Sequence, residues 1–245
     1  MNTTDITDAE NLFYPDELYT SYADVEHCLK RYKVFFRNKT VFCNCDDPFE
    51  SAFFQYFARN FNVLQLKELI SLSYCQSPLA QSELPLFYPV EKYRDTAYKI
   101  NLRREKMTGF ANEVIPLEDI KAYLLKYREF FLAARTSGDF RSYESMGILD
   151  KSDIVVTHPP LSLLPKFISL MLTFQKKFLI LVNKSILKNP KIAEAMEKAL
   201  LHIVPNKTCQ NDFIYYRRGN NPNNNHPQGT TFSSANTQWL TNLKN

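Results

Sequence analysis

The sequence predicts an α/β protein with a doubly wound, mostly parallel sheet that carries helices on both faces. Short apolar and β-branched runs of strand length alternate with longer segments in which apolar residues recur every three or four positions. The clearest of the short runs end in polar or proline-containing turns, as buried strands do. With 245 residues, of which 44% are hydrophobic, the chain can bury one sizeable core. Such alternation is typical of parallel sheets that are covered on both faces.

The first half of the chain predicts a βαβ unit. An amphipathic helix over 23–36 precedes an apolar strand over 40–45, which Asp46-Asp47-Pro48 stops. A helix rich in Phe and Tyr is predicted over 51–60, and a second strand over 66–74. A strand, a helix and a strand in this order form a right-handed crossover, so the two strands lie parallel in one sheet.

The second half of the chain predicts two helices and then a regular alternation of strands and helices. The predicted helices cover 116–134, 142–149, 163–174 and 189–201, and the predicted strands cover 153–157, 177–182 and 202–205. The strand over 202–205 has the weakest pattern. These elements extend the sheet that begins in the first half.

We expect one main domain over 1–216. It contains an irregular basic insertion over 76–110, and it is followed over 217–245 by a mobile Asn- and Pro-rich loop and a short C-terminal element. From Glu91 to Lys106 the insertion holds six basic and three acidic residues with tyrosines between them. Such a surface can contact a nucleic-acid backbone. An ordinary solvated connection accounts for it equally well.

The overall composition indicates a cytoplasmic protein without a membrane segment. No apolar run approaches the roughly 18 to 20 residues that cross a bilayer, and the polar, acidic N-terminus does not resemble a signal peptide. Lys and Arg outnumber Asp and Glu by 30 to 26, which is compatible with a nucleic-acid partner. The cysteines form no C-x-x-C pair and the histidines have no ligand spacing, so no metal site is predicted.

Three predicted strand or loop ends carry polar residues that suit a bound ligand. In open α/β sheets, ligands bind outside the carboxyl ends of the strands. Asp46 and Asp47, beside the start of the next helix, can hold a charged amino-acid group, although helix capping is an alternative role for them. Asp139 and Phe140 suit an adenine ring and its amino group, although Asp139 after Gly138 is also a common turn residue. The third end is His158-Pro159-Pro160-Leu161.

Six segments along the chain resemble, in the same order, signatures of the EcoRI-type adenine-specific DNA methyltransferase family. The segments are 16–20 with 24–26, 43–48 with Ser51 and Phe53, 138–142 with Glu144, 153–157 with 159–160 and Ser162, 177–180 with Asn183, and 239–243. The agreement in order covers most of the chain, which makes the resemblance specific.

The resemblance implies a Rossmann-like methyltransferase sheet and an S-adenosylmethionine-dependent enzyme that methylates adenine N6 in double-stranded DNA. It also implies a cognate restriction nuclease as a partner. By the same resemblance, Tyr19 and Thr20 are expected near the methionine end of the cofactor. Asp46 and Asp47 are expected near its amino and sugar groups, and Asp139 and Phe140 near its adenine. The catalytic loop is expected to be His158-Pro159-Pro160-Leu161.

That loop departs from the family pattern at two positions. Family members carry Asn or Asp before the two prolines and an aromatic residue after them, where this chain has His158 and Leu161. An amide oxygen accepts a hydrogen bond from the adenine amino group, whereas histidine accepts only when neutral, and its reference pKa is about 6.5. Leucine offers no π face on which an extruded base can stack.

Three functions are compatible with these departures. The protein is a working, site-specific adenine methyltransferase, or it is a catalytically impaired relative that acts as a DNA- or protein-binding module. In the third interpretation, His158 is a catalytic base or metal ligand in a different reaction.

Overall fold

The computed structural model of the protein describes residues 18–46, 51–73, 97–127, 131–205, 213–217, 231–234 and 237–244. The helices in these ranges are α1 (Tyr22–Leu29), α2 (Ala52–Arg59), α3 (Leu117–Lys126), α4 (Tyr143–Lys151), α5 (Leu164–Thr173) and α6 (Pro190–Glu197). The strands are β1 (Leu18–Thr20), β2 (Thr40–Asn44), β3 (Glu68–Leu72), β4 (Tyr98–Arg103), β5 (Phe131–Ala133), β6 (Ile154–Thr157), β7 (Lys177–Asn183), β8 (His202–Ile203), β9 (Phe213–Arg217), β10 (Thr231–Ser234) and β11 (Thr237–Thr241).

The predicted α/β fold with a mostly parallel central arrangement is confirmed. The main sheet has eight strands in the order β5-β4-β3-β2-β6-β7-β11-β8, and the strands β3, β2, β6 and β7 run parallel to one another. One apolar cluster packs α1, α2 and α3 on one face, and a second packs α4, α5 and α6 on the other. The four parallel strands are the ones that the sequence predicts best, because strands buried on both faces are continuously apolar.

A separate sheet of three strands brings the start of the described chain close to its end. β9 lies in the middle and pairs antiparallel with both β1 and β10. Ser21 follows β1 directly and begins α1, because its hydroxyl oxygen accepts a hydrogen bond from the Asp24 backbone N–H. The amphipathic helix predicted over 23–36 starts here and continues after Leu29 as a 3₁₀ helix over Lys30–Phe35.

The prediction of one long helix over 116–134 is wrong in its second half. The helix α3 ends at Lys126, and Phe131–Ala133 form strand β5 at the edge of the main sheet. β5 pairs antiparallel with β4, with Ile100 opposite Phe131. A short apolar run is compatible with a helix or a strand, and the free edge of β4 decides between them.

The segment predicted as an irregular insertion over 76–110 is regular in its second part. Tyr98–Arg103 form strand β4, which pairs antiparallel with β3. The apolar residues of β4 are buried and alternate with exposed or half-buried polar ones. This period-2 pattern predicts a strand, but the prediction of an irregular insertion rested on the charges of the segment. Residues 74–96 lie outside the described part of the chain.

The C-terminal element predicted outside the main domain forms strand β11 of the main sheet, next to the edge strand β8. β11 lies between β7 and β8 and pairs antiparallel with both. Trp239 is buried there, with its ring centroid 5.7 Å from that of Phe53 on α2. The proposed boundary after residue 216 therefore does not separate this element from the core. The predicted mobile loop lies almost entirely outside the described residues.

The remaining predicted elements differ from the observed ones only at their ends. Among the described residues, no helix has the length and apolar character needed to cross a bilayer.

Candidate active site

The ends of β2 and β6 place the predicted cofactor and catalytic segments side by side. These two strands are parallel neighbours, with Val41 opposite Ile154, so their carboxyl ends lie at the same edge of the sheet. The Thr157 hydroxyl at the end of β6 donates a hydrogen bond to the Asn44 carbonyl oxygen at the end of β2. The structure therefore brings together the segments that contain Asp46 and His158, as the rule for open α/β sheets predicts.

Asp46 is held in a buried turn just after β2. Cys45 has a φ of 68°, in the left-handed region, so the chain turns sharply before Asp46. The Ser71 hydroxyl donates to the Asp46 carbonyl oxygen over 2.6 Å, and the Ser51 hydroxyl donates to Asp46 Oδ1 over 2.6 Å. Ser51 in turn accepts from the backbone N–H groups of Phe53 and Phe54 and caps α2. The capping residue of α2 is thus Ser51, and Asp46 supports it.

The buried thiol next to this turn has no nucleophilic role. Burial raises the pKa of the Cys43 thiol well above its usual range, and the negative charge of Asp46 raises it further. The thiol stays protonated near neutral pH, and a protonated thiol is a poor nucleophile.

The loop that contains Gly138 packs tightly against the end of β3. Gly138 has a φ of +81°, and a Cβ atom at this position would lie 2.0 Å from the Ser73 carbonyl oxygen and 2.8 Å from Ala97 Cβ. Only glycine fits this approach without a shift of the backbone. The loop is therefore fixed beside the same edge of the sheet, because β3 is the neighbour of β2.

Asp139 adopts the turn geometry that the alternative interpretation predicts. Its Oδ1 accepts a hydrogen bond from the Arg141 backbone N–H at 2.7 Å, and its Oδ2 lies 2.6 Å from Arg141 Nη2. The carboxylate thus shapes the loop, and its role in holding adenine stays a prediction.

Phe140 lies in the core beneath this loop. Its side chain is 2% exposed, and its ring meets that of Phe167 edge-on with centroids 5.2 Å apart. The Arg141 guanidinium carbon lies 5.7 Å from the Phe140 ring centroid. Packing accounts for this aromatic residue, and contact with a cofactor adenine also stays a prediction.

The predicted catalytic loop leaves β6 and enters a short 3₁₀ helix, Leu161–Leu163, before α5. Pro159 and Pro160 are buried, and the Pro160 carbonyl oxygen accepts a hydrogen bond from the Leu163 backbone N–H at 3.1 Å. The two prolines and this bond restrict the backbone that follows His158.

The ring of His158 contacts the three-stranded sheet. Thr20, at the end of β1, is only 8% exposed, and its Oγ1 lies 3.4 Å from His158 Nδ1. The sequence assigned Thr20 to the cofactor and His158 to catalysis, and the structure brings them into contact. The Tyr19 backbone pairs with Tyr216 in β9.

Three of the predicted positions are not fully described. Asp47 lies outside the described residues, and so do the side chains of Tyr19 and Leu161. Their assigned roles stay predictions.

Several of the basic residues that the structure describes between positions 97 and 106 have partners within the protein. Lys99 Nζ lies 3.4 Å from Glu144 Oε1, and Arg103 Nε lies 3.2 Å from Glu68 Oε1. Arg104 donates to the Leu66 carbonyl oxygen. These contacts support the interpretation of this part as an ordinary structural connection. Among the described residues, no three His, Cys, Asp or Glu side chains are grouped so that they could hold a metal ion.

Comparison with known proteins identifies the family of the chain. The model of the family described as the adenine-specific methyltransferase EcoRI matches residues 9–245. The chain belongs to this family. The resemblance of the six sequence segments to the EcoRI methyltransferase family is therefore confirmed.

Two curated relatives show how far the similarity to the EcoRI methyltransferase family extends. The type II methyltransferase M.EcoRI of Escherichia coli is 37% identical over 172 residues, which is 69% of this chain and 45% of the relative. The type II methyltransferase M.MpnI of Mycoplasma pneumoniae is 30% identical over 166 residues, which is 68% of this chain and 40% of the relative. The chain thus spans less than half the length of these relatives. No solved structure gives a significant match.

Sequence reasoning did not single out Asn44, which lies at the same edge of the sheet as Asp46 and His158. Asn44 is 0% exposed, and its Oδ1 accepts a hydrogen bond from the Ser145 hydroxyl at 3.3 Å. Within the described part of the chain, its Nδ2 has no hydrogen-bond partner. An unsatisfied buried donor costs about 1–3 kcal/mol, which a ligand oxygen can offset. In the sequence, Asn44 is recognisable only as a polar residue at the end of an apolar strand.

Proposed function

We propose that the chain is a site-specific DNA adenine-N6 methyltransferase that uses S-adenosylmethionine. The observation that carries this proposal is the meeting of Thr20, Asp46 and the His158-Pro159-Pro160 loop at one edge of the sheet. The substrate is double-stranded DNA, the partner is a cognate restriction nuclease, and the protein acts in the cytoplasm. Membership of the EcoRI methyltransferase family supports each of these points.

The residues at this edge fit the polar groups of S-adenosylmethionine. The cofactor supplies an electrophilic methyl group when it is bound. Asp46 provides a buried carboxylate for an ammonium or hydroxyl group, and Asn44 Nδ2 provides a buried donor for an oxygen. Gly138 packs closely against the Ser73 carbonyl oxygen, and this contact holds the loop of Asp139 and Phe140 beside the same edge.

The catalytic loop provides the acceptors that adenine needs. Adenine N6 is a poor nucleophile because its lone pair is delocalised into the ring. Two acceptors that bind its hydrogens concentrate electron density on the nitrogen, so no base has to remove a proton before the methyl group is transferred. The methylated nitrogen is then cationic and loses its extra proton to water. The Pro160 carbonyl is used in the 3₁₀ turn, so we assign the Pro159 carbonyl as one acceptor and neutral His158 as the other.

A second candidate function rests on the same loop. His158 in place of Asn, and Leu161 in place of an aromatic residue, favour a catalytically impaired relative that acts as a DNA- or protein-binding module. Loss of an acceptor and of base stacking together would lower the rate by several powers of ten, since each 1.36 kcal/mol is about tenfold.

Calorimetry and a methyl-transfer assay separate the two functions. The purified protein is titrated with S-adenosylmethionine and then incubated with labelled cofactor and unmethylated duplex DNA. Binding with transfer of label supports the enzyme, and binding without transfer supports the impaired relative. The absence of cofactor binding would contradict the assignment of S-adenosylmethionine as the cofactor.

Replacing Ser51 with alanine tests the link between α2 and Asp46. The variant loses the cap of α2, which is expected to lower the free energy of unfolding by about 1 kcal/mol. It also loses the hydrogen bond that holds the Asp46 carboxylate, so we expect weaker binding of S-adenosylmethionine. Urea unfolding and calorimetry measure the two effects.

The matched control is Asn189→Ala, which removes a cap of the same kind at the start of α6. This control should lose similar stability and keep the cofactor affinity of the unmodified protein. Equal cofactor affinity in both variants would show that Ser51 only stabilises the helix.

A further inference from the structure

We propose that Glu144 is a positioning residue that clamps the loop over 135–142, on which the adenine of S-adenosylmethionine is held. Glu144 lies in the first turn of α4, directly after this loop, and its side chain is 12% exposed. It belongs to a segment that resembles the family, but the resemblance assigns it no role. The proposal rests on the proposed function, because the clamp serves the reaction only if Asp139 and Phe140 lie near the cofactor adenine.

The carboxylate of Glu144 connects the end of the loop to its beginning. Its Oε2 accepts a hydrogen bond from the Arg135 backbone N–H at 2.6 Å. A backbone N–H only donates and an ionised carboxylate only accepts, so the direction of this bond is fixed. Short hydrogen bonds to a charged acceptor are among the stronger ones in proteins. The segment from Arg135 to Glu144 is therefore closed on itself by one side chain.

The second oxygen of the same carboxylate ties the loop to the main sheet. Glu144 Oε1 lies 3.4 Å from Lys99 Nζ on β4, and the Lys99 side chain is only 23% exposed. Water and salt screen a partly buried ion pair less than an exposed one. The backbone follows the same route, because the Ala134 N–H at the start of the loop donates to the Ala97 carbonyl oxygen just before β4.

The middle of the loop is held separately. Gly138 packs against the Ser73 carbonyl oxygen after β3, and the Ser142 backbone N–H donates to the Asp139 carbonyl oxygen at 2.9 Å. These contacts shape the loop but leave the position of its two ends open. Glu144 makes the attachment between the two ends and also the attachment to β4. Without Glu144, we expect the loop to pivot about Gly138 and to move its adenine-facing residues.

Glu144 also stabilises α4 in the ordinary way, since an acidic residue in the first turn of a helix interacts favourably with the helix dipole. The chain offers a matched control in Glu118. Both residues are the second residue of their helix, and Glu118 pairs with Lys121 at 3.2 Å in the first turn of α3. Glu118→Ala removes the same kind of interaction without touching the loop.

Calorimetry with two ligands that differ only in the base tests the proposal. S-adenosylhomocysteine and S-inosylhomocysteine share the amino acid and the ribose, but hypoxanthine carries an oxygen where adenine carries its amino group. We expect the unmodified protein to prefer the adenine compound by about tenfold or more. In Glu144→Ala this preference should fall to about twofold, because the displaced loop no longer lies against the base.

Two further variants separate the clamp from general destabilisation. Glu118→Ala should keep the preference for adenine, and Glu144→Gln should keep most of it, because the amide oxygen still accepts from the Arg135 N–H. An unchanged preference in Glu144→Ala, an equal loss in Glu118→Ala, or no preference in an unmodified protein that binds both compounds would overturn the proposal.

Hydrogen exchange of the backbone tests the clamp without a ligand. By NMR, we expect the Arg135 amide to exchange about tenfold faster in Glu144→Ala than in the unmodified protein or in Glu118→Ala. Equal exchange of this amide in all three proteins would overturn the proposal. Because this measurement needs no cofactor, a protein that binds neither compound would contradict the proposed function, while the exchange of Arg135 still decides whether Glu144 clamps the loop.

Discussion

Replacing Gly138 with alanine is expected to lower the free energy of unfolding by about 2 to 6 kcal/mol and to abolish binding of S-adenosylmethionine. The added Cβ would lie 2.0 Å from the Ser73 carbonyl oxygen, which is backbone and cannot move aside as a flexible side chain does. The residue would also have to adopt a φ of +81°, which alanine rarely does. The loop over 138–140 must therefore move away from the end of β3.

The chain offers a matched control for this change in Gly147→Ala. Gly147 lies within α4, and apart from its chain neighbours and the backbone of that helix, no described atom lies within 4 Å of a Cβ atom built at this position. Because alanine favours the helix, this variant should be more stable by about 0.5–1 kcal/mol. Urea unfolding measures stability, and calorimetry measures cofactor affinity. A Gly138→Ala protein with unchanged stability and affinity would show that the tight approach to Ser73 has no part in the site.

Replacing His158 with alanine is expected to lower the rate of methyl transfer by about 10- to 100-fold at pH 8. At this pH a histidine with the reference pKa of about 6.5 is neutral, so it can accept a hydrogen bond. The amino nitrogen becomes positively charged as it takes the methyl group, and a hydrogen bond to a charged group contributes about 1.5–3 kcal/mol, which corresponds to this range of rates. Single-turnover transfer from labelled S-adenosylmethionine to duplex DNA measures the effect.

Restoring the residues of the family pattern should have the opposite effect. His158→Asn supplies an amide acceptor, and we expect transfer at least as fast as in the unmodified protein. The double variant His158→Asn with Leu161→Phe adds an aromatic face, and stacking of about 1–3 kcal/mol would raise transfer by roughly tenfold or more. His27→Ala, an exposed change on α1, is the control and should leave the rate unchanged. If His158→Ala transfers methyl groups as fast as the unmodified protein, His158 is not an acceptor in the reaction.

The parallel centre of the fold could be predicted from the sequence because its pattern is local. β2, β6 and β7 are apolar runs with turn residues at their ends, and the order of strands and helices fixes their direction. The adjacency of Asp46 and His158 followed from this order. The edge strands could not be predicted in the same way. β5 takes its conformation from pairing with β4, which no local pattern in 131–133 reveals.

The details of the site depend on contacts between residues far apart in the sequence. Thr20 reaches His158 only because β1 pairs with β9, almost 200 residues later in the chain. Gly138 is required by the Ser73 carbonyl oxygen, and the sequence gives no sign of this neighbour. Asp139 is different, because its contacts are with Arg141, two residues away. They fit the turn that the sequence already allowed.

The most direct test of the proposed function is the position of the transferred methyl group. Unmethylated duplex DNA is incubated with the purified protein and labelled S-adenosylmethionine, digested to nucleosides and separated by chromatography with mass detection. The proposal predicts that the label is found in N6-methyldeoxyadenosine, and that His158→Ala lowers its amount while His27→Ala does not. Label on cytosine, or no label in DNA from a protein that binds the cofactor, would contradict the proposal that this loop methylates adenine N6.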